Sequence, residues 1–153
     1  MVARYGGRRR RRESFYHTNG GIKVRSKFER TVINDLESRG IEFGYETLEL
    51  PWLDTVANGE CGDCGSEEVG KHCVYTPDVI FPSGSIVEIK GLFTARDRKI
   101  AVGVRKAHPE LTIRFLFMQD KWMTKKKVRR YSDWATKNGF ESHTGTSVPP
   151  EWI

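Results

Sequence analysis

Tyr75-Thr76-Pro77-Asp78-Val79-Ile80-Phe81-Pro82-Ser83-Gly84-Ser85-Ile86-Val87-Glu88-Ile89-Lys90-Gly91 decides how this chain folds. Two runs of apolar and β-branched residues, Tyr75 to Phe81 and Ser85 to Lys90, flank a Pro-Ser-Gly turn, which is the pattern of a β-hairpin. On a strand, residues two apart share a face, so Ile86, Glu88 and Lys90 point one way and Val87 and Ile89 the other. The turn sets what faces them. A three-residue loop, with Gly84 in the left-handed conformation, puts Phe81 opposite Ser85 and Asp78 opposite Glu88. Asp78, Glu88 and Lys90 then share one face. A two-residue turn would put Asp78 opposite Ile89 and scatter the three.

Two adjacent carboxylates repel unless a cation lies between them. A hard divalent ion with oxygen ligands, Mg²⁺ first and Mn²⁺ as its substitute, resolves that repulsion. A neighbouring lysine can position or deprotonate a water, or offset charge on a phosphorane-like transition state. Together these are the parts of metal-assisted phosphodiester hydrolysis. The plainer alternative is a solvent-facing hairpin with a Glu–Lys pair. Glu-x-Lys alone is common, and the Pro-Asp joined to it by a turn is what favours the functional reading.

Outward from the hairpin, Phe28, Val32, Ile33 and Leu36 form one face of a helix over Ser26 to Arg39, with Ser26 as N-cap and Gly40 as the stop. Glu29 falls within that apolar stripe. Ser26-x-x-Glu29 reads as a capping box, and a first-turn carboxylate can cap and still face a metal. Ile41, Phe43 and Tyr45 alternate as a strand. Leu48 to Val56 is extended, and Asn58 to Lys71 reads as a loop. Thr94 to His108 reads as a helix stopped by Pro109, with Ile100, Val104 and Ala107 inward. Leu111 to Met118 is a buried strand. Ser132 to Asn138 is a short helix capped by Ser132. Helix, three strands, helix, strand, helix predicts an α/β domain: one mixed sheet flanked by helices.

Its 153 residues suit one domain, with no apolar run long enough for a membrane span. No apolar stretch follows the basic N-terminal segment, so no secretory signal is expected and the cytoplasm is the expected compartment. Three cysteines give no disulfide framework. The net charge of +6 hides strong asymmetry. Residues 1–30 carry ten Lys and Arg against two acids, and residues 41–70 carry eight acids and no Lys or Arg. Lys121 to Arg130 adds six bases and no acid. Residues 1–25 read as a flexible basic arm. Its Arg8, Arg9, Arg10, Arg11 and Arg12, with Lys125, Lys126 and Lys127, are candidate DNA contacts, since cations that displace counterions favour nucleic acid. Trp52, Trp122, Trp134 and Trp152 read as core or subunit contacts rather than base-stacking platforms. Trp122, beside the second basic block, is the one to test for DNA contact. His108 reads as a helix cap, and His143 has no evident partner.

Ser26-x-x-Glu29, Tyr75-Thr76-Pro77-Asp78, Glu88-Ile89-Lys90-Gly91-Leu92, Asp97-Arg98-Lys99, His108-Pro109-Glu110-Leu111 and Pro150-Glu151-Trp152-Ile153 together resemble the phage endonuclease I family, the Holliday-junction resolvases of T-seven-like phages. Pro-Asp with Glu-x-Lys alone would indicate only the broader PD-(D/E)XK, restriction-endonuclease-like class. The resemblance spans residues 26–153. It implies a restriction-endonuclease-like core and Mg²⁺-dependent cleavage of branched DNA. Asp78, Glu88 and the Ile89 carbonyl would hold metal, Lys90 would assist the water, and Glu29 would complete a second metal position. It also implies a segment-swapped homodimer, bridged by residues 46–56, in which Glu29 serves the partner's site.

Residues 58–73 form an insertion beyond what the family needs. Cys61, Cys64 and Cys73 with His72 or His17 are candidates for a structural Zn²⁺ site, although His72 and Cys73 are adjacent and three reduced thiols are the alternative. The competing functions are a PD-(D/E)XK nuclease with another target, mismatch-nicking or restriction-type, and a non-catalytic, zinc-stabilised DNA-binding protein.

Overall fold

The computed structural model describes residues 15–55 and 70–153. Arg8 to Arg12, Cys61 and Cys64 lie outside the described residues, as do Val56 and most of the insertion.

The described part of the predicted arm is structured. Strands β1 (Tyr16–His17) and β2 (Lys23–Val24) pair antiparallel. Val24 is buried among the residues of α1 (Lys27–Ser38), and the buried Thr18 hydroxyl donates to Glu37 Oε1 at 2.8 Å. Glu37 Oε2 also accepts from Gly20 N–H at 2.9 Å. Residues 15–25 therefore belong to the folded domain, which for those residues corrects the expectation of a flexible basic arm. The polar contacts that hold this hairpin lie between residues far apart in sequence, so periodicity could not reveal them.

Helix α1 follows its sequence closely. Ser26, in extended conformation, caps it by accepting from Glu29 N–H at 3.0 Å. The apolar stripe Phe28, Val32, Ile33 and Leu36 is buried. Gly40 sits at φ +64°, and Gly40 N–H and Ile41 N–H reach back to the carbonyls of Glu37 and Leu36. That closing turn requires a residue tolerant of positive φ.

Next come β3 (Gly44–Tyr45), β4 (Leu50–Thr55), β5 (Gly70–Tyr75), β6 (Val79–Ile80), β7 (Ile86–Lys90), α2 (Ala95–Ala107), β8 (Ile113–Phe117), α3 (Tyr131–Lys137) and β9 (Glu141–Thr144). The main sheet runs β3-β6-β7-β8-β9. Pairs β3–β6 and β6–β7 are antiparallel, while β7–β8 and β8–β9 are parallel. The α/β class with one mixed sheet is the predicted one. Alternation along β7 splits the core. Ile86 joins Phe93, Phe115, Phe117, Tyr131, Trp134 and Phe140 beneath α2 and α3. Val87 and Ile89 join Val79, Leu116, Val148 and Trp152 against α1.

Other predicted boundaries moved. Tyr75 to Phe81 is not one strand, because Thr76-Pro77 separates the end of β5 from β6. Residues 70 and 71, expected in a loop, are paired with β4. Ala107 is exposed, and Ala101 takes its place on the buried side of α2. Arg130, not Ser132, precedes α3, and its N–H donates to Asp133 Oδ2 at 2.8 Å. Ser132 is instead held by Asp120, through both its N–H and its hydroxyl.

Strand β4 carries most of the predicted inter-subunit bridge. Here it turns back to pair with β5 of the same chain and packs on α2. Trp52 lies so close over Gly103 that no side chain would fit there. His108 Nε2 meets Pro51 O at 2.7 Å, and Lys99 pairs with Asp54.

Candidate active site

The hairpin turn decides whether the acidic residues converge. Val79 pairs with Val87 and Ile80 with Ile86, while Phe81 N–H donates to Ser85 O at 2.9 Å. Gly84 takes φ +84°. This is the three-residue-loop register, so Asp78 stands opposite Glu88.

The two acids interlock through the backbone. Asp78 N–H donates to Glu88 Oε1 at 3.1 Å, and Ile89 N–H donates to Asp78 Oδ2 at 2.8 Å. Glu88 is only 1 % exposed, so its carboxylate depends on protein partners. Lys90 Nζ lies 3.0 Å from Glu88 Oε2, and the Tyr75 phenol hydrogen-bonds the same carboxylate. Asp97 Oδ1 is 3.7 Å from Lys90 Nζ. Asp97 is fixed in turn by α2, where its Oδ2 accepts from Thr94 N–H and hydroxyl at 2.7 and 2.6 Å. Tyr75 and Asp97 both stand within family motifs, but nothing in the order of residues joins them to the acids. The link arises only when β5 and α2 meet at the end of β7.

Electrostatics follow this crowding. Burial, then the charge of Glu88, raises Asp78 well above the ordinary carboxylate range, with Glu29 adding to the rise; Lys90 and the Ile89 N–H oppose it. Burial pulls Lys90 down, but Glu88 and Asp78 more than reverse that and leave it above its ordinary value. Tyr75 is raised by burial first and by Glu88 next.

Glu29 faces this site from α1 of the same chain. Its Oε1 accepts from the Ser26 hydroxyl at 2.8 Å, and its Oε2 from Arg25 N–H at 3.0 Å and the Tyr45 hydroxyl at 2.8 Å. Burial and then Glu29 raise Tyr45 above its usual range. The capping reading of Glu29 thus holds in a modified form: it reaches Ser26 through the hydroxyl and Arg25 through the backbone. Its charge also reaches Asp78. Tyr45 anchors it from β3, which pairs with β6 in the same chain.

The donor set fits a hard divalent cation. Ile89 N–H occupies Asp78 Oδ2, which leaves Oδ1 as a ligand atom. The N–H and C=O of a strand residue point to the same edge, so the Ile89 carbonyl faces the Asp78 side as well. Among the described residues no group of three or more His, Cys, Asp and Glu side chains is arranged to hold a metal ion. The candidate set is therefore two carboxylates and a carbonyl.

Of the zinc candidates, His72 and Cys73 are consecutive on β5 and project to opposite faces. Cys73 packs toward the core across from Trp52, while His72 is exposed. One ion does not take both from an unbroken strand, and Cys61 and Cys64, the rest of the set, lie outside the described residues. Lys125, Lys126 and Lys127 are exposed in a turn between Trp122 and Arg130. Trp52, Trp134 and Trp152 are buried, as the sequence suggested. His108 ends α2, and His143 packs edge-on to Trp152.

Fold and site together describe an α/β protein with two carboxylates and a lysine gathered on paired strands at one end of a mixed sheet. A family profile for phage endonuclease I matches residues 13–153. The chain is 34 % identical to "Endonuclease I" of Escherichia phage T7 over 90 % of its own length and 85 % of that protein's. It is 33 % identical to "Endodeoxyribonuclease 1" of Enterobacteria phage T3, over 78 % and 70 % of the two chains. The chain belongs to the phage endonuclease I family. The match begins thirteen residues before Ser26, so it takes in the β1–β2 hairpin.

Proposed function

We propose that this chain is a Mg²⁺-dependent endodeoxyribonuclease that resolves four-way and other branched DNA junctions. The observation that carries the reading is the interlock of Asp78 and Glu88 beside Lys90, with a raised Asp78 carboxyl that calls for a cation. A purely structural Glu–Lys pair does not require a second buried acid against it. The names of the phage T7 and T3 relatives support cleavage of DNA within the strand.

Asp78, Glu88 and the Ile89 carbonyl would hold the ion. When bound, a divalent cation neutralises the paired acids and withdraws charge from the scissile phosphate. Lys90, held by Glu88 and Asp97, would assist the attacking water or offset the negative charge that builds on the phosphate. Tyr75 holds the buried Glu88, and Tyr45 holds Glu29 at the rim. Resolution needs two paired cuts, so the working unit in this reading is a homodimer. Among the described residues no helix is long and apolar enough to cross a membrane.

The test is incubation with a synthetic four-way junction and a linear duplex of the same sequence, with and without Mg²⁺. Cleavage of the junction, only with Mg²⁺ and lost in Asp78→Asn while junction binding persists, is the expected result. Equal cutting of both substrates would remove the junction preference. Cleavage in EDTA, or full activity in Asp78→Asn, would remove the proposed chemistry.

A further inference from the structure

The carboxyl end of β7 and β8 carries an apolar surface that the catalytic site does not use. Leu92 is 64 % exposed, and Met118 and Trp122 are each about two-fifths exposed. Leu92 and Met118 come together for topological reasons. Lys90 pairs with Phe117, and Met118 N–H donates to Lys90 O at 3.1 Å, so the chain leaving β8 runs beside the chain leaving β7. Met118 Cε approaches Gly91, next to Leu92. Leu92 and Met118 thus leave an exposed apolar strip where β7 and β8 end.

A small basic hairpin fences this surface. Trp122 bridges Arg130 antiparallel, Met123 N–H donates to Arg129 O at 2.8 Å, and Lys127 N–H closes the tip onto Thr124 O at 3.1 Å. Alternation turns Met123 and Tyr131 toward the core and leaves Trp122 outward. Asp120 pins both legs, accepting from Ser132 through its carboxylate and from Arg130 Nη1 through its carbonyl. The Arg130 guanidinium lies 4.3 Å from the centre of the Trp122 ring. It covers one face of the indole and holds it at a fixed tilt.

An exposed aromatic among cations has one natural class of partner. Nucleobases carry a π-face, and their phosphates carry the charge that Lys125, Lys126, Lys127 and Arg129 would meet. In intact duplex those faces are stacked and inaccessible. At a branch point, bulge or single strand they are exposed, and apolar side chains inserted beside them replace lost stacking. We propose that Trp122, exposed in this basic hairpin with Arg130 across one face of its indole, is a stacking platform for an unstacked nucleobase of DNA. The hairpin follows directly from β8, which pairs with the strand that carries Lys90. This inference rests on the nuclease reading for its setting, but not for its test.

The experiment uses the full-length chain carrying Asp78→Asn, so that substrates stay intact. Binding of a four-way junction, a single-stranded oligonucleotide and linear duplex is measured with and without Trp122→Ala. Base–aromatic stacking is worth about 1–3 kcal/mol, or roughly 5- to 150-fold. Trp122→Ala should therefore weaken junction and single-strand binding about tenfold and change duplex binding less than twofold. Trp122→Phe should restore most of the loss. Replacing Lys125, Lys126 and Lys127 with alanine should weaken all three ligands alike and flatten their salt dependence. Equal loss on duplex and junction after Trp122→Ala, or no loss on either, would overturn the stacking role. If wild-type protein cuts no junction yet Trp122 still governs single-strand binding, the nuclease reading fails and this inference stands.

Discussion

Lys90→Gln should destabilise the protein more than Glu88→Gln, although both break the same ion pair. The asymmetry follows from burial. Glu88 is 1 % exposed, and its charge is balanced by Lys90 at 3.0 Å. Without Lys90 it keeps only the Asp78 N–H and the Tyr75 phenol, which solvate but do not neutralise it. Leaving one buried partner unpaired costs about 3–5 kcal/mol. Lys90 has a side chain 22 % exposed and retains Asp97 at 3.7 Å, so it tolerates the loss of Glu88 better. Glu88→Gln also removes the charge that repels Asp78, and its amide can still accept from Asp78 N–H. A cost of about 1 kcal/mol, that of an ordinary hydrogen bond, is expected.

The double variant should be more stable than Lys90→Gln alone, with a coupling of about 2 kcal/mol. For a chain of this length, 3 kcal/mol corresponds to roughly 6–12 °C in Tm. Urea unfolding in EDTA reads all four proteins. Excess Mg²⁺ should narrow the deficit of Lys90→Gln, since a bound cation supplies the missing positive charge. All three variants should be inactive on a junction at temperatures where they remain folded. If Lys90→Gln costs no more than Glu88→Gln, Glu88 is not a buried ionised partner and the electrostatic account of the site is wrong.

Three further outcomes follow from the same geometry. Co-expression of Glu29→Ala and Asp78→Ala chains tests the segment exchange that the family resemblance implies: mixed dimers should nick one strand of a junction because one site is then complete, and mixed dimers that cut nothing would show that each site is built from one chain. Deleting residues 1–13 removes six arginines and should make the dependence of log K on log salt shallower, by roughly 0.9 for each phosphate no longer neutralised. An unchanged slope would take that segment off the DNA. Elemental analysis after purification without chelator should show zinc lowered by Cys73→Ser and untouched by His72→Ala. Zinc missing from His72→Ala would contradict the facing of β5, and metal-free wild-type protein would dismiss the site.

Much of this arrangement was legible because it is local. The α1 stripe, its Ser26 cap and its Gly40 stop depend on residues within four positions of one another. The decisive register depended on one choice, a two- or three-residue turn, and Gly84 at positive φ resolves it. The sequence could not show that Tyr75 and Asp97 grip the Glu88–Lys90 pair, because β5 and α2 come together only through long-range packing. The β1–β2 hairpin was hidden for a similar reason: its anchors, Thr18 and Glu37, are nineteen residues apart. Ser132 misled because a serine before an apolar run looks like a cap, whereas Asp120 competes for both its donors.

The position of the bridge segment matters most for how the site can work. A sheet edge must pair, be covered or stay exposed. The resemblance to the family implies that residues 46–56 cross to a second chain. In this structure β4 satisfies its edge with β5 of the same chain and buries Trp52 in the notch left by Gly103. Lys99 with Asp54 and His108 with Pro51 add polar ties from α2 to the same strand. Those contacts fix β4 to the helix whose first turn, through Asp97, steadies Lys90. The hairpin and Lys90 are therefore coupled through a single rigid element. Loosening Trp52 should be felt at Lys90 before it is felt at α1, because α1 packs on the opposite face of the sheet.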